Sequence, residues 1–389
     1  MKTDFFFQID NRLHYGIGKS RELNTLMAAE GWKDIALLVD EGVAKHSAYY
    51  GEIKALIDGA ANTVTEIQLR GSEEPSYDYL DDIAAQARAL SNVDAVIAIG
   101  GGSALDIAKA VAGLITNPGP GISYRGFDQL TVPAVPSVCI PTTAGTGSEV
   151  TINAVFTDKS EMKKLGINGR YMNATYAVLD ALWLESCPHA VAVSAGMDAM
   201  VHTLESFMTG NANPMTRAFN REAFVTLYKN LPALVNAPKD LDAKQAILMG
   251  AYLAAAGLFN SGSGISGALS YPLGVHYKVP HGIGGGIFIA SVVEFNVAKG
   301  WFEYAELLDL IEPHTDWNAE QKSKRFAEVL RELSDTMGVP KTLCEWGVTK
   351  DNVEAVAELM VPLQGAFNQN PIEFSAETDA LDMLRKHVA

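Results

Sequence analysis

The chain has 389 residues, 48% of them apolar, and its 46 acidic against 30 basic side chains give a net charge of −16. That apolar fraction excludes a disordered chain. The acidic excess, with no Lys/Arg-dense block, argues against DNA, RNA and anionic membrane surfaces as partners, though not against a small anionic ligand in a locally positive pocket.

At roughly 150 residues per domain, the length predicts two or three domains. The opening MKTDFFFQID holds only three consecutive Phe before charge resumes, so it reads as neither signal peptide nor anchor. The longest apolar stretches, such as PAVPSVCIP, fall short of the ~20 residues of a membrane span. Cys139, Cys187 and Cys344 are far apart and form neither a disulfide framework nor a CxxC pair, which fits free thiols in a reducing compartment. A soluble, cytoplasmic protein is expected.

In chain order, short apolar runs alternate with amphipathic helical patterns up to about residue 180. DIALLVD (34–40), TVTEIQL (63–69), VDAVIAIGGG (93–102) and SVCIPTT (137–143) read as strands. SRELNTLMAAEG (20–31), AYYGEIKALIDGA (48–60) and YDYLDDIAAQARAL (77–90) read as helices. This alternation predicts a parallel sheet covered on both faces. Beyond residue 180 the strand signal stops and apolar residues recur at helical spacing, punctuated by Pro188 and by glycines around 260–267 and 282–286. The expected domains are therefore 1–182, α/β, and 183–389, all-α.

Four segments carry chemistry. In IGGGSALDIAKA (99–110) a strand runs into Gly100, Gly101 and Gly102, and Ser103 opens a helix bearing Asp106 and Lys109. Glycines permit close backbone approach, and the free N–H groups of a helix start attract phosphate; a plain tight turn gives the same pattern. Asp40, ending a strand, can accept both ribose hydroxyls and repel a 2′-phosphate, or can simply cap the next helix. In PTTAGTGSEVT (141–151), Thr142, Thr143, Thr146 and Ser148 can present hydroxyls to a nucleotide, or form a compact loop. In GMDAMVHTLES (196–206), Asp198 and His202 are four apart, on one face of a largely buried helix. Asp198 and His202 can be a simple ion pair, and His276 and His281 in YPLGVHYKVPHGIGGGI (271–287) surface residues of a broken segment; together the four would supply a mixed O/N donor set suited to Fe2+ or Zn2+.

Together these segments resemble the iron-containing (group III) alcohol dehydrogenase family, and the likeness runs along nearly the whole chain, from LHYGIGKSREL through LLVDEGVAKH, GGGSALDIAKA, PTTAGTGSEVT and AGMDAMVHTLESFMTGNANP to YPLGVHYKVPHG. The resemblance implies a Rossmann-like NAD(P)-binding domain and a helical metal- and substrate-binding domain of the dehydroquinate synthase-like superfamily, with a cleft between them. It implies Asp198, His202 and His281 as metal ligands. Gly267 stands where a further histidine ligand is usual, and Tyr271 where the family has a histidine near the reacting carbonyl.

Three readings follow. Asp198, His202 and His281 plus water make an open Lewis-acid site; or His276 replaces the missing ligand; or the metal is lost and Tyr271 donates the proton. The expected activity is reversible hydride transfer between a primary alcohol and an aldehyde, with His281, Tyr271 or a bound water moving the proton. Asp40 favours NAD over NADP. The substrate is expected to be polar, such as a sugar acid, which Lys163, Lys164 and Arg170 could meet if they are not simply a solvated face. Glycerol dehydrogenase-like diol oxidation and a non-catalytic dinucleotide-binding role are the alternatives. A homodimer is expected from the resemblance.

Overall fold

The structure is a computed structural model that describes residues 1–71, 75–161 and 163–388. Its contacts divide the chain into two compact units, Ile9–Pro188 and a second comprising Met1–Gln8 with His189–Ala389.

The first unit runs β1 (Arg12–Tyr15), α1 (Leu23–Glu30), β2 (Asp34–Asp40), α2 (Glu41–His46), α3 (Ala48–Ala60), β3 (Thr63–Leu69), α4 (Tyr77–Arg88), β4 (Ala95–Gly100) and α5 (Gly102–Thr116). It continues with β5 (Gly126–Phe127), β6 (Ser137–Pro141), β7 (Asn153–Asp158), β8 (Lys163–Asn168) and β9 (Tyr176–Leu179). Six strands pair in parallel in the order β1-β9-β6-β4-β2-β3. The uninterrupted apolar run of β2 is explained by burial of every residue from Ile35 to Val39, which requires cover on both faces.

The chain steps outward from β2 to β3, then returns to the other side of β2 with β4 and proceeds to β6. Progression therefore reverses between β2 and β4, and ligands of open parallel sheets bind at strand carboxyl ends beside such a reversal. Asp40, Gly100 and Pro141 end these three adjacent strands; Val39 is in register with Ile99, and Gly100 with Pro141.

A second sheet, β5-β8-β7, was not expected from the sequence. β7 and β8 pair antiparallel, from Asn153 opposite Asn168 to Asp158 opposite Lys163. β7 buries alternate residues, including Ala154 and Phe156, so it is half-covered and reads weakly beside the fully buried strands.

The second unit is helical: α6 (His189–Met208), α7 (Pro214–Asn230), α8 (Ala233–Asn236), α9 (Leu241–Phe259), α10 (Ile265–Tyr277), α11 (His281–Ala298), α12 (Ala305–Asp309) and α13 (Ala319–Thr336), then shorter helices. α6 is central, packing against α7, α9, α10 and α11. The first eight residues belong here: Lys2 N–H donates to the Ala212 carbonyl at 2.7 Å, Gln8 N–H to Asn260 Oδ1 at 2.8 Å, and Phe7 meets Phe219. Such long-range pairing leaves no mark in local composition. Among the described residues only α11 is long and apolar enough to cross a membrane, and most of it is buried inside this unit.

Candidate active site

In the α/β unit the candidate site is the β4–α5 turn. Gly101 precedes α5 with no side chain capping its first N–H groups, and Ser103 in the first turn is exposed. A Cβ on Gly100 would lie 2.5 Å from Ala104 Cβ and 3.2 Å from Asp40 Cβ, and one on Gly102 would lie 2.5 Å from Thr146 Oγ1. Glycine is thus required by close approach at both positions. Thr143 is the nearest neighbour of Gly101, so Thr143 and exposed Thr146 rim the free helix start. An uncapped helix N-terminus lined by hydroxyls attracts a phosphate.

Asp40 has a capping role: Oδ1 accepts from the N–H groups of Gly42 at 2.8 Å and Val43 at 3.3 Å, opening α2. Its other oxygen lies against Gly71, where a Cβ would come within 2.3 Å. A depression lined by Glu41, Gly42, Ala44, Lys45, His46 and Gln68 begins at the next residue.

Three other expected contacts are turned inward. Thr142 is buried, and its N–H continues the ladder to the Gly100 carbonyl. Ser148 Oγ donates to Asp106 Oδ1 at 2.5 Å, and Asp106 Oδ2 accepts from Val155 N–H at 2.9 Å. Fully buried Lys109 donates to the carbonyls of Ser148, Thr151 and Asn153 at 2.8, 3.2 and 2.5 Å, and lies 3.5 Å from Asp106. Burial pushes the Asp106 carboxyl upward, against the pull of Lys109, Ser148 and Val155. A buried ammonium is tolerable only with its donors satisfied, so Asp106 and Lys109 pin the 141–153 segment behind the glycine turn. Lys163 is exposed and pairs with Glu161, and exposed Arg170 lies over the Tyr171 ring, as on a solvated face.

The helical unit carries a candidate site of its own. Asp198 Oδ1 is 3.4 Å from His202 Nε2 and 3.8 Å from His281 Nε2, and the three donor atoms lie within 4.8 Å of one another. Bonds of about 2.1 Å in a tetrahedral site place donor atoms about 3.4 Å apart, so this set fits a divalent ion such as Zn2+ or Fe2+. Asp198 and His202 are one turn apart on α6, while His281 opens α11. The two helices meet closely because of Gly282: a Cβ there would sit 1.9 Å from the Ser194 carbonyl oxygen and 2.9 Å from Asp198 Cβ.

Ser270 orients His281. Its Oγ lies 2.7 Å from the Gly267 carbonyl and 2.6 Å from His281 Nδ1. One hydroxyl proton satisfies both contacts only if it goes to the carbonyl and Nδ1 carries its own hydrogen. Nε2 then presents its lone pair toward Asp198, the form a metal ligand needs.

His276 is exposed in the last turn of α10 and lies outside the three-donor cluster. The approach of His281 fixed by Gly282 leaves the cluster built without it. Tyr271 is 36% exposed and packs on His281, ring centroids 4.8 Å apart. Glu205 belongs to this site without standing in any of the four sequence patterns as a candidate ligand or base. It is 1% exposed, its Oε1 accepts from Gly267 N–H at 2.8 Å, and burial pushes it up to about 7. The signal was available in its place seven residues after Asp198, on the same helical face.

The chain matches the family described as iron-containing alcohol dehydrogenase over residues 10–181, and that family's C-terminal region over residues 192–388. It is 31% identical over 366 residues to a sulfoacetaldehyde reductase of Bilophila wadsworthia (strain 3_1_6), spanning 92% of this chain and 93% of that protein. It is also 31% identical over 268 residues to an NAD-dependent methanol dehydrogenase of Bacillus methanolicus, spanning 69% and 70%. The crystal structure of a 1,3-propanediol oxidoreductase superposes with a TM-score of 0.91 at 25% identity, covering 99% of this chain and all of that one. The chain belongs to the iron-containing alcohol dehydrogenase family. It is an enzyme, an NAD(P)-dependent oxidoreductase of alcohols and aldehydes.

Proposed function

We propose that this chain interconverts a small primary alcohol and its aldehyde, using NAD(H) in preference to NADP(H) and a divalent ion, Fe2+ or Zn2+, held by Asp198, His202 and His281. The Asp198–His202–His281 cluster carries this reading. When bound, the ion supplies a Lewis acid for the carbonyl oxygen and the nicotinamide supplies the hydride. Three protein donors leave a coordination position open to substrate oxygen, as catalytic rather than structural sites do. Asp198 supplies negative charge, and Ser270 holds His281 in its ligating tautomer. Tyr271 would carry a proton toward solvent, a role supported by its contact with His281 and its partial exposure.

For the cofactor, the first N–H groups of α5, with Gly101, Gly102, Ser103, Thr143 and Thr146, would hold the pyrophosphate. Asp40 Oδ2 would meet the ribose and repel a 2′-phosphate. A relative matched over 92% of this chain is named for an aldehyde bearing a sulfonate, which favours a short, anionic aldehyde over a long apolar alcohol. The chain would act as a cytoplasmic homodimer; the burial of Cys139, whose thiol is pushed up to about 12, agrees with a reducing compartment.

Absorbance assays with NADH and NADPH test the reading, using short aldehydes with neutral, carboxylate and sulfonate ends and either Fe2+, Zn2+ or chelator. Metal-dependent oxidation of NADH by a short aldehyde is expected. No turnover with any aldehyde, alcohol or diol under any metal condition would overturn it in favour of a binding protein.

A further inference from the structure

We propose that Glu205 is a positioning residue for His202: its Oε2 takes up the Nδ1–H of His202 across one bridging water, leaving Nε2 of that imidazole unprotonated toward Asp198. The inference rests on the metal-assisted reading above and assigns a role to a residue that reading does not use.

Two polar atoms at this place are buried without a hydrogen-bond partner, His202 Nδ1 and Glu205 Oε2. They sit three residues apart on α6, a spacing that makes side chains neighbours on one face. Leaving both unpaired out of water is costly, and a native site resolves such a pair with a shared partner. The carboxylate is deliberately housed. A Cβ on Gly264 would lie 3.0 Å from Glu205 Cγ, and one on Gly267 would lie 3.0 Å from Oε2. Two glycines of the loop and helix opposite therefore give way to this one side chain. The Gly267 N–H then fixes Oε1, so only Oε2 is left to face His202.

A water between donor and acceptor satisfies both: Nδ1–H donates to its oxygen, and it donates to Oε2. His202 thereby acquires from Glu205 what His281 acquires from Ser270, a fixed tautomer. The absence of a side chain at Gly267 becomes the space that a positioning carboxylate needs.

Glu205→Gln tests this, because the amide can keep its carbonyl oxygen on Gly267 N–H and then offers N–H, the wrong sense, to the water. In metal-free protein with 15N-labelled histidine, two-bond 1H–15N spectra read the tautomer directly, His202 being assigned by its loss in His202→Gln. Nδ1–H is expected in the unaltered chain and Nε2–H in Glu205→Gln. Zn2+ affinity by chelator competition, well above neutral pH, should fall about 10- to 100-fold, with the Co2+ absorption bands of the loaded variant unmoved because the ligand set is intact. Unchanged tautomer and affinity would overturn the proposal, as would shifted Co2+ bands, which would make Glu205 a ligand. If Glu205→Gln fails to fold, the unaltered chain decides alone: Nε2–H at His202 refutes the proposal. Failure of the unaltered chain to bind any metal would instead sink the metal-assisted reading, while the tautomer measurement would still decide this one.

Discussion

Ser270 Oγ lies 2.6 Å from His281 Nδ1 and 2.7 Å from the carbonyl of Gly267, so a single hydroxyl couples the turn of α10 that carries Gly267 to the imidazole that opens α11. Ser270→Ala removes the acceptor for Nδ1–H and frees the ring to rotate and change tautomer. Metal affinity should weaken about 10-fold or more, while stability changes by only about 1 kcal/mol. Chelator competition and thermal melting of the same preparations check this. Undiminished affinity would show that Ser270 merely packs against the ring.

Gly282 has a sharper requirement. An added Cβ at 1.9 Å from a backbone oxygen of α6 cannot be relieved by a side-chain rotation, so α11 must move away from Asp198. Gly282→Ala should cost about 3 kcal/mol or more and abolish metal binding even where the protein remains folded. A folded variant with full metal content would contradict the account of how the two helices build the cluster.

Asp40 has two tasks that substitution can separate. Asp40→Ser keeps an N-cap for α2 but removes the charge, so discrimination against NADP(H) should relax with little change in melting temperature. Asp40→Ala should relax it equally and also lose about 1 kcal/mol of stability with the cap. The kcat/KM ratio for the two cofactors measures the first effect. An unchanged ratio in both variants would mean that Asp40 is a cap only. Preference for NADP(H) in the unaltered chain would assign the nearby Lys45 to a 2′-phosphate.

Glu149 gives a pH dependence of stability. Burial pushes its carboxyl up to about 7 from an ordinary 4.5. A folded-state value above the unfolded one means that the native state prefers the proton. The stabilisation is therefore complete below about 4.5 and is lost as pH rises through about 7. Glu149→Gln cannot ionise and should be more stable than the unaltered chain by about 3 kcal/mol near pH 8, the gap closing toward pH 4. Melting curves across that range test it; a gap that widens on acidification would reverse the sign and refute the argument.

The parts of the molecule legible in the sequence are those whose signal is local. DIALLVD becomes β2 over the same residues because a doubly covered strand must be apolar throughout, and TVTEIQL becomes the edge strand β3, legible from its β-branched residues although only Ile67 and Leu69 are buried. Asp198 and His202 were readable from helical spacing, and Gly100–Gly102 from a strand running into a helix start. What depended on distant partners was not legible. Nothing near Ser148 says that its hydroxyl belongs to Asp106, 42 residues earlier, or that Lys109 is spent on three carbonyls of the following segment. The β7–β8 hairpin carried too little apolar alternation to stand out, and Lys163 and Lys164 drew attention to charge instead. Glu205 was hidden for a different reason. A carboxylate on a helix face reads as solvent-exposed until Gly264 and Gly267 are seen to enclose it.

Metal content measured beside turnover tests the central claim most directly. Protein purified without chelator should carry a divalent ion and reduce a short aldehyde with NADH. Chelation should abolish turnover, Fe2+ or Zn2+ should restore it, and His202→Ala should neither bind the ion nor turn over. Full turnover by chelated, metal-free protein, abolished by Tyr271→Phe, would contradict the account and assign the proton and the carbonyl to Tyr271 alone.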